Sequence, residues 1–267
     1  GALFEKRIKI EAVKPNRLKI DLQLPDPIRA GIRQDARLKS SWLHGAVARS
    51  LKAVVEAEMV PVKTLFKGYE KYSFDNPGAV YFPSKRVIFE ENLNEEGQAS
   101  IPLEFPAITN APGMMKAWFT SRVFEQGGDF SIFVKEARFS PYGKYLGIRM
   151  PDEDDGWFTT GETYRPELVA LSPEGKPLPL GKTEVSLYKI DWRWWWESGE
   201  DHLARYVSGR HYQPLKTWQL KSGESRVQFD LRVDFRDWHD NGRYLLYARD
   251  MENGHATGVT FYMSQWG

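Results

Sequence analysis

The sequence predicts an all-β chain folded as two tandem antiparallel β-sandwiches. Three observations carry that prediction. Apolar and polar residues alternate strictly over many short runs, turn-rich segments separate those runs, and a set of three turn signatures recurs in order in the two halves.

The alternation is clearest at two places. Leu18, Ile20, Leu22 and Leu24 share one face, with Arg17, Lys19, Asp21 and Gln23 on the other; Val227, Phe229, Leu231, Val233 and Phe235 alternate with Arg226, Gln228, Asp230, Arg232 and Asp234. Period two is a strand with one wet face, the pattern of an antiparallel rather than a covered parallel sheet. Further strands are expected near 36–43, 114–124, 129–139, 144–150, 164–171, 212–220, 243–250 and 256–264. Between runs lie Leu24-Pro25-Asp26-Pro27, Asp75-Asn76-Pro77-Gly78 and Asp240-Asn241-Gly242, all turn formers.

The repeat pairs Gly45-Ala46-Val47-Ala48, before Leu51–Met59, with Gly175-Lys176-Pro177-Leu178, before Thr183–Ile190. It pairs Asn94-Glu95-Glu96-Gly97 with Lys221-Ser222-Gly223-Glu224, and Glu125-Gln126-Gly127-Gly128 with Glu252-Asn253-Gly254-His255. Gly45 and Gly97 are 52 residues apart against 48 for Gly175 and Gly223, and Gly127 follows Gly97 by 30 against 31 for Gly254 after Gly223. Such agreement reads as two copies of one β module. It also decides an ambiguous segment. Leu43, Val47, Leu51, Val54 and Val55 fit a helical stripe, but the repeat partner Thr183–Ile190 is rich in β-branched and aromatic residues, so Leu51–Met59 is assigned as strand. Ser140-Pro141-Tyr142-Gly143 marks the boundary, giving modules 1–140 and 141–267 held by a short joint rather than a free tether.

Composition narrows function. The chain has 267 residues, a net charge of +1 and no cysteine. Near-neutral charge gives no electrostatic case for nucleic acid or an anionic membrane. Without cysteine there is no disulfide, thiolate metal site or cysteine nucleophile. No run is long and apolar enough to span a bilayer, and no direct membrane insertion is expected. No signal peptide is visible; the opening Gly1-Ala2-Leu3 reads as an excised piece of a longer protein.

Aromatics reach 14% with ten tryptophans, and their loudest string is Asp191-Trp192-Arg193-Trp194-Trp195-Trp196-Glu197. On a strand Trp192, Trp194 and Trp196 share a face opposite Arg193 and Trp195. Upstream the apolar phase switches near Leu187–Tyr188, as a β-bulge or burial on both sides would produce. The string suits packing on a neighbouring domain, since tryptophan and arginine are enriched at interface hot spots. The alternative is a carbohydrate-binding platform on the Trp192–Trp196 run. The polar insertion Ser198–Gln213 is expected to contact a partner, so the candidate interdomain or partner contacts are Arg193, Trp195, His202 and Tyr206.

No catalytic constellation emerges. Asp152-Glu153-Asp154-Asp155-Gly156 lacks calcium-loop ligand spacing and reads as a solvated turn. His44, His202, His211, His239 and His255 form no local metal cluster, and surface or structural roles are expected for each, with His239 and His255 in turns. There is no Gly-x-Ser-x-Gly elbow, phosphate loop or dinucleotide fingerprint. No cofactor, metal or enzymatic activity is expected.

Several strings resemble the bacterial α2-macroglobulin family across nearly the whole chain. They include Pro15-Asn16-Arg17-Leu18-Lys19-Ile20, Trp42-Leu43-His44-Gly45-Ala46, Phe66-Lys67-Gly68-Tyr69, Asn110-Ala111-Pro112-Gly113 and Phe124-Glu125-Gln126-Gly127-Gly128-Asp129. The most specific are Tyr188-Lys189-Ile190-Asp191-Trp192-Arg193-Trp194-Trp195-Trp196 and Gly254-His255-Ala256-Thr257-Gly258. The resemblance implies two consecutive macroglobulin domains, each a fibronectin/immunoglobulin-like seven-strand sandwich. It further implies scaffold domains of a protease-trapping inhibitor in the periplasm or cell envelope, with neighbouring domains and, through the parent protein, target proteases as partners. The family's Cys-x-Glu-Gln thioester is absent, no bait segment is recognisable, and no family catalytic residue has a matching position here.

Overall fold

A computed structural model describes residues 15–108, 110–151, 157–190, 213–234, 236 and 240–265. Every regular element among them is a strand. In the first half these are β1 (Leu18–Gln23), β2 (Ile28–Arg29), β3 (Gln34–Trp42), β4 (Lys52–Pro61), β5 (Lys85–Asn92), β6 (Gln98–Leu103), β7 (Met115–Phe124) and β8 (Phe130–Ser140). The second half holds β9 (Tyr145–Arg149), β10 (Trp157–Thr159), β11 (Thr163–Tyr164), β12 (Glu167–Leu171), β13 (Gly181–Ile190), β14 (Lys216–Ser222), β15 (Arg226–Gln228), β16 (Leu231–Arg232), β17 (Gly242–Asp250) and β18 (Ala256–Ser264).

The halves share one topology. The first has a five-stranded sheet ordered β2-β8-β7-β4-β5 over a three-stranded sheet β1-β3-β6; the second repeats both, as β10-β18-β17-β13-β14 and β15-β12-β9, and adds the small pair β11-β16. The short parallel pairings β2 with β8 and β10 with β18 recur as well. Each glycine signature of the repeat falls at an equivalent place: before β4 and β13, before β6 and β15, and between the hairpin strands β7/β8 and β17/β18. Gly97 shows why glycine is demanded there. Its φ is +68°, and a Cβ would lie 2.6 Å from the Ser40 carbonyl oxygen.

Cores form where the alternating faces meet. Leu18, Ile20, Leu22, Leu38, Ile101 and Leu103 of one sheet pack on Ala53, Val55, Ala57, Phe119 and Val123 of the other. In the second half Val185, Leu187, Tyr244, Leu246, Phe261 and Met263 pack on Leu146, Ile148, Leu168 and Ala170. The ambiguous segment is strand β4, whose buried residues alternate as a strand's do. The phase switch at Leu187–Tyr188 reflects burial on both sides. Val185 and Leu187 face the sandwich interior, whereas Tyr188 and Ile190 join Leu245, Tyr247 and Ala256 in a cluster on the opposite face, and the pairing of β13 with β17 runs through without a register shift.

Two expected strands are broken. The 164–171 run is interrupted at Arg165-Pro166, between β11 and β12. The Val227–Phe235 run divides at Phe229-Asp230, because β15 pairs with β12 whereas β16 pairs with β11. Phe229, Leu231 and Val233 remain buried, so the alternation reported the core correctly while the pairing partner changed. The longest strand not expected is β5, an edge strand whose Val87 is exposed and whose Phe89 is buried, which leaves little alternation to read.

A candidate interdomain site

The small sheet β15-β12-β9 is covered on both faces. Along β9 and β12, Tyr145, Val169 and Leu171 belong to the core cluster of the first sandwich, whereas Leu146, Ile148, Leu168 and Ala170 belong to that of the second. The run Glu167–Leu171 is buried at every position. Period two places successive side chains on opposite faces, so an unbroken apolar run fits a sheet with a core on each side.

Residues 62–84, between β4 and β5, form a strap that reaches from the first sandwich onto the second. Ser73 and Ile148 exchange backbone hydrogen bonds of 2.8 and 2.9 Å. The Gly258 N–H donates to the Asp75 carbonyl at 3.2 Å, the Thr257 hydroxyl donates to the Ser73 carbonyl at 2.8 Å, and the Ser73 hydroxyl donates to the Gly258 carbonyl at 2.9 Å. Two glycines permit this approach. A Cβ on Gly147 would lie 2.5 Å from Cε1 of Phe74, and one on Gly258 would lie 2.9 Å from Cγ of Pro77. Within the strap the Asp75 carboxylate accepts the Thr64 N–H at 3.1 Å, and Thr64 Oγ1 accepts the Met114 N–H at 2.7 Å, which ties the strap to the start of β7; burial raises the pKa of the Asp75 carboxyl.

At one edge of the seam the Tyr72 hydroxyl donates to the Glu167 carboxylate. Glu167 is itself buried, accepts from Gln228 Nε2 at 3.1 Å, and has Arg226 and Arg149 at 3.5 and 3.8 Å. Burial, then the Glu167 hydrogen bond and charge, push the Tyr72 phenol up to about 12.

Behind the strap a second cluster fixes the joint. Ser140 Oγ donates to the Tyr142 carbonyl and meets the Tyr145 hydroxyl, both at 2.7 Å, and the Tyr142 hydroxyl donates to the Ala111 carbonyl at 2.7 Å. Lys144 Nζ lies 3.0 Å from the Asp250 carboxylate and donates to the Leu180 carbonyl at 2.9 Å. The other face of Asp250 accepts the N–H groups of Glu252 and Asn253 at 2.9 and 3.1 Å, which shapes the turn before His255.

His255 is a correction to the turn placement: it is 0% exposed, just past the turn. Its ring stands 4.9 Å from those of both Tyr142 and Tyr145. Nδ1 accepts the Leu146 N–H at 3.0 Å, so a neutral ring carries its proton on Nε2. Nε2 has no partner of good hydrogen-bond geometry; the Phe74 carbonyl and the Asp250 charge favour the charged ring. Burial wins and takes the imidazole down to about 3.

The sequence-derived contacts Arg193, Trp195, His202 and Tyr206, the run Trp192–Trp196 and the acidic segment 152–155 all lie outside the described residues. Among the described residues no group of three or more acidic or histidine side chains is arranged to hold a metal ion. Sequence reasoning missed Tyr72, Glu167, Lys144 and Asp250 as a joint, although it singled out three strings that belong to it: Phe66-Lys67-Gly68-Tyr69, Ser140-Pro141-Tyr142-Gly143 and Gly254-His255-Ala256-Thr257-Gly258.

Two family models match this arrangement. The bacterial alpha-2-macroglobulin MG5 domain matches residues 16–129, and bacterial macroglobulin domain 6 matches residues 147–266. No curated protein matches the chain. Among solved structures, native Escherichia coli alpha-2-macroglobulin, determined by cryo-electron microscopy, is 15% identical with a TM-score of 0.54 over 96% of this chain and 16% of its own. The trypsin-activated Escherichia coli protein is 15% identical with a TM-score of 0.58, covering 94% of this chain and 17% of its own. Salmonella alpha-2-macroglobulin reacted with methylamine is 14% identical with a TM-score of 0.55, covering 96% and 17%. At these identities the structural likeness shows the fold, and the chain spans about one-sixth of the length of those proteins.

Proposed function

The chain belongs to the bacterial alpha-2-macroglobulin family, with an MG5-like domain followed by an MG6-like domain, and from that premise we propose that it is a rigid, non-enzymatic piece of the frame of a protease-trapping inhibitor. The scaffold role follows from the domain type. The single observation that supports a mechanical role is the β15-β12-β9 sheet, which carries one sandwich core on each face. A frame element must pass displacement from one domain to the next without absorbing it, and a shared, close-packed sheet does that.

The module boundary at 140/141 belongs to the same proposal, as do a periplasmic or cell-envelope location and contacts from Arg193, Trp195, His202 and Tyr206 to neighbouring domains of the parent. Replacing Trp195 by alanine should leave this tandem folded while weakening the full-length protein. If the tandem itself unfolds, that residue is core and the contact assignment fails.

The direct test is protease inhibition by the full-length parent. Trypsin mixed with the parent should lose activity on a protein substrate while still cutting a small chromogenic peptide, and deleting the tandem should abolish that protection. A parent that leaves protein digestion unchanged overturns the reading.

A further inference from the structure

Resting on that scaffold reading for its second half, we propose that the seam is a single-state weld: the two sandwiches unfold together, and they travel as one body when the parent rearranges. A joint that switches needs a linker able to change its backbone angles and an interface with a second available packing. Among the described residues this joint shows neither. The linker hydroxyls of Ser140 and Tyr142 are both hydrogen-bonded, and Lys144 is tied into the second sandwich through Asp250 and the Leu180 carbonyl. Rotating one sandwich away would strip Tyr145, Val169 and Leu171 from the first core, because those side chains grow from the same strands that line the second. Sliding is blocked too. The strap is hydrogen-bonded to β9 at Ile148 and to Gly258 on β18, and Phe74 and Pro77 sit where any side chain on Gly147 or Gly258 would stand. The rearrangement of the parent must then take place at other domain boundaries.

Hydrogen exchange at increasing urea tests the first half on this 267-residue chain. Peptides from β7 and β17 should share one midpoint and one urea dependence; separate midpoints would overturn the weld. Tyr72→Phe keeps the ring and removes the hydroxyl that reaches Glu167, and it should speed exchange of the Ser73 and Ile148 amides about tenfold. Unchanged exchange in that variant would also count against the proposal. Gly147→Val should go further and separate the two midpoints; where it fails to fold, Tyr72→Phe still decides. For the second half, the amides of Ser73, Ile148 and Gly258 are followed in the full-length parent before and after protease cleavage. Protection that holds within about threefold supports the weld. If the parent inhibits protease yet these amides exchange tenfold faster after cleavage, the weld falls and the scaffold reading stands. If the parent does not inhibit but the tandem unfolds as one, the scaffold reading falls and the shared unfolding unit stands.

Discussion

Lys144 Nζ and the Asp250 carboxylate meet at 3.0 Å, with both side chains buried, at the point where the first sandwich hands the chain to the second. A buried pair of this kind is weak evidence for net stability, because desolvation offsets the attraction, but removing one partner strands the other charge. Lys144→Met should cost about 3–5 kcal/mol in urea denaturation at pH 7. The double variant Lys144→Met with Asp250→Asn should cost clearly less than the sum of the two single changes, since no uncompensated charge then remains.

The Gly147 backbone faces Phe74 with no room for a methyl group. Gly147→Ala should destabilise the chain by about 1–3 kcal/mol through overpacking. Phe74→Leu alone should also destabilise it by leaving space. Combined, the two should recover part of the loss, and a double-mutant cycle measures that recovery. Strict additivity would show that the two residues do not press on each other.

How far the sequence reached follows from what each element depends on. The strands β1, β3, β4 and β7 were legible because each buries one face, β13 because it buries first one face and then the other, and period two records that directly; β17, buried on both faces through its middle, was legible from its apolar run between turns. The repeat carried further than any single strand, since it anticipated that both halves use one strand order. The β12 run Leu168-Val169-Ala170-Leu171 contained the signal for two-sided burial, but a short apolar run alone does not say which core lies on each face. The strap at 62–84 has no period to read; its conformation is set by the sheet it lies on, 75 to 185 residues away. His255 was placed by its glycine neighbour, whereas its burial depends on Tyr142 and Tyr145, more than a hundred residues earlier.

Alkaline stability should fall between about pH 10 and pH 12. Tyr72, Tyr142, Tyr244 and Tyr247 are each raised from 10.0 to about 12, with desolvation by burial the leading cause in every case. In that window the unfolded chain loses phenolic protons that the folded chain keeps, so deprotonation favours unfolding. Below pH 10 both states hold the protons and the full contribution is present. Denaturation midpoints should stay level from pH 9 to about pH 10 and decline from there to pH 12, and Tyr72→Phe should make the decline shallower. An equal slope in that variant would remove Tyr72 from the account.

The acid side carries the opposite sign and isolates one residue. His255 is taken from 6.5 down to about 3 by burial, so the folded chain keeps the ring neutral where the unfolded chain has already bound a proton. The stabilisation is therefore complete above pH 6.5 and is lost as pH falls toward 3, with a limiting slope of about 1.4 kcal/mol per pH unit for one proton. Carboxylates whose folded pKa is lowered, such as Glu174, act below the ordinary carboxylate range, so the interval between pH 6.5 and pH 5 reports mainly on histidine. His255→Asn keeps an oxygen acceptor for the Leu146 N–H where Nδ1 stands and removes the titration. Its stability at pH 7 should be lower, because the amide cannot fill the space between Tyr142 and Tyr145, while its stability between pH 6.5 and pH 5 should be nearly flat. A variant that keeps the wild-type slope in that interval would assign the proton uptake to another histidine and return His255 to a purely steric role.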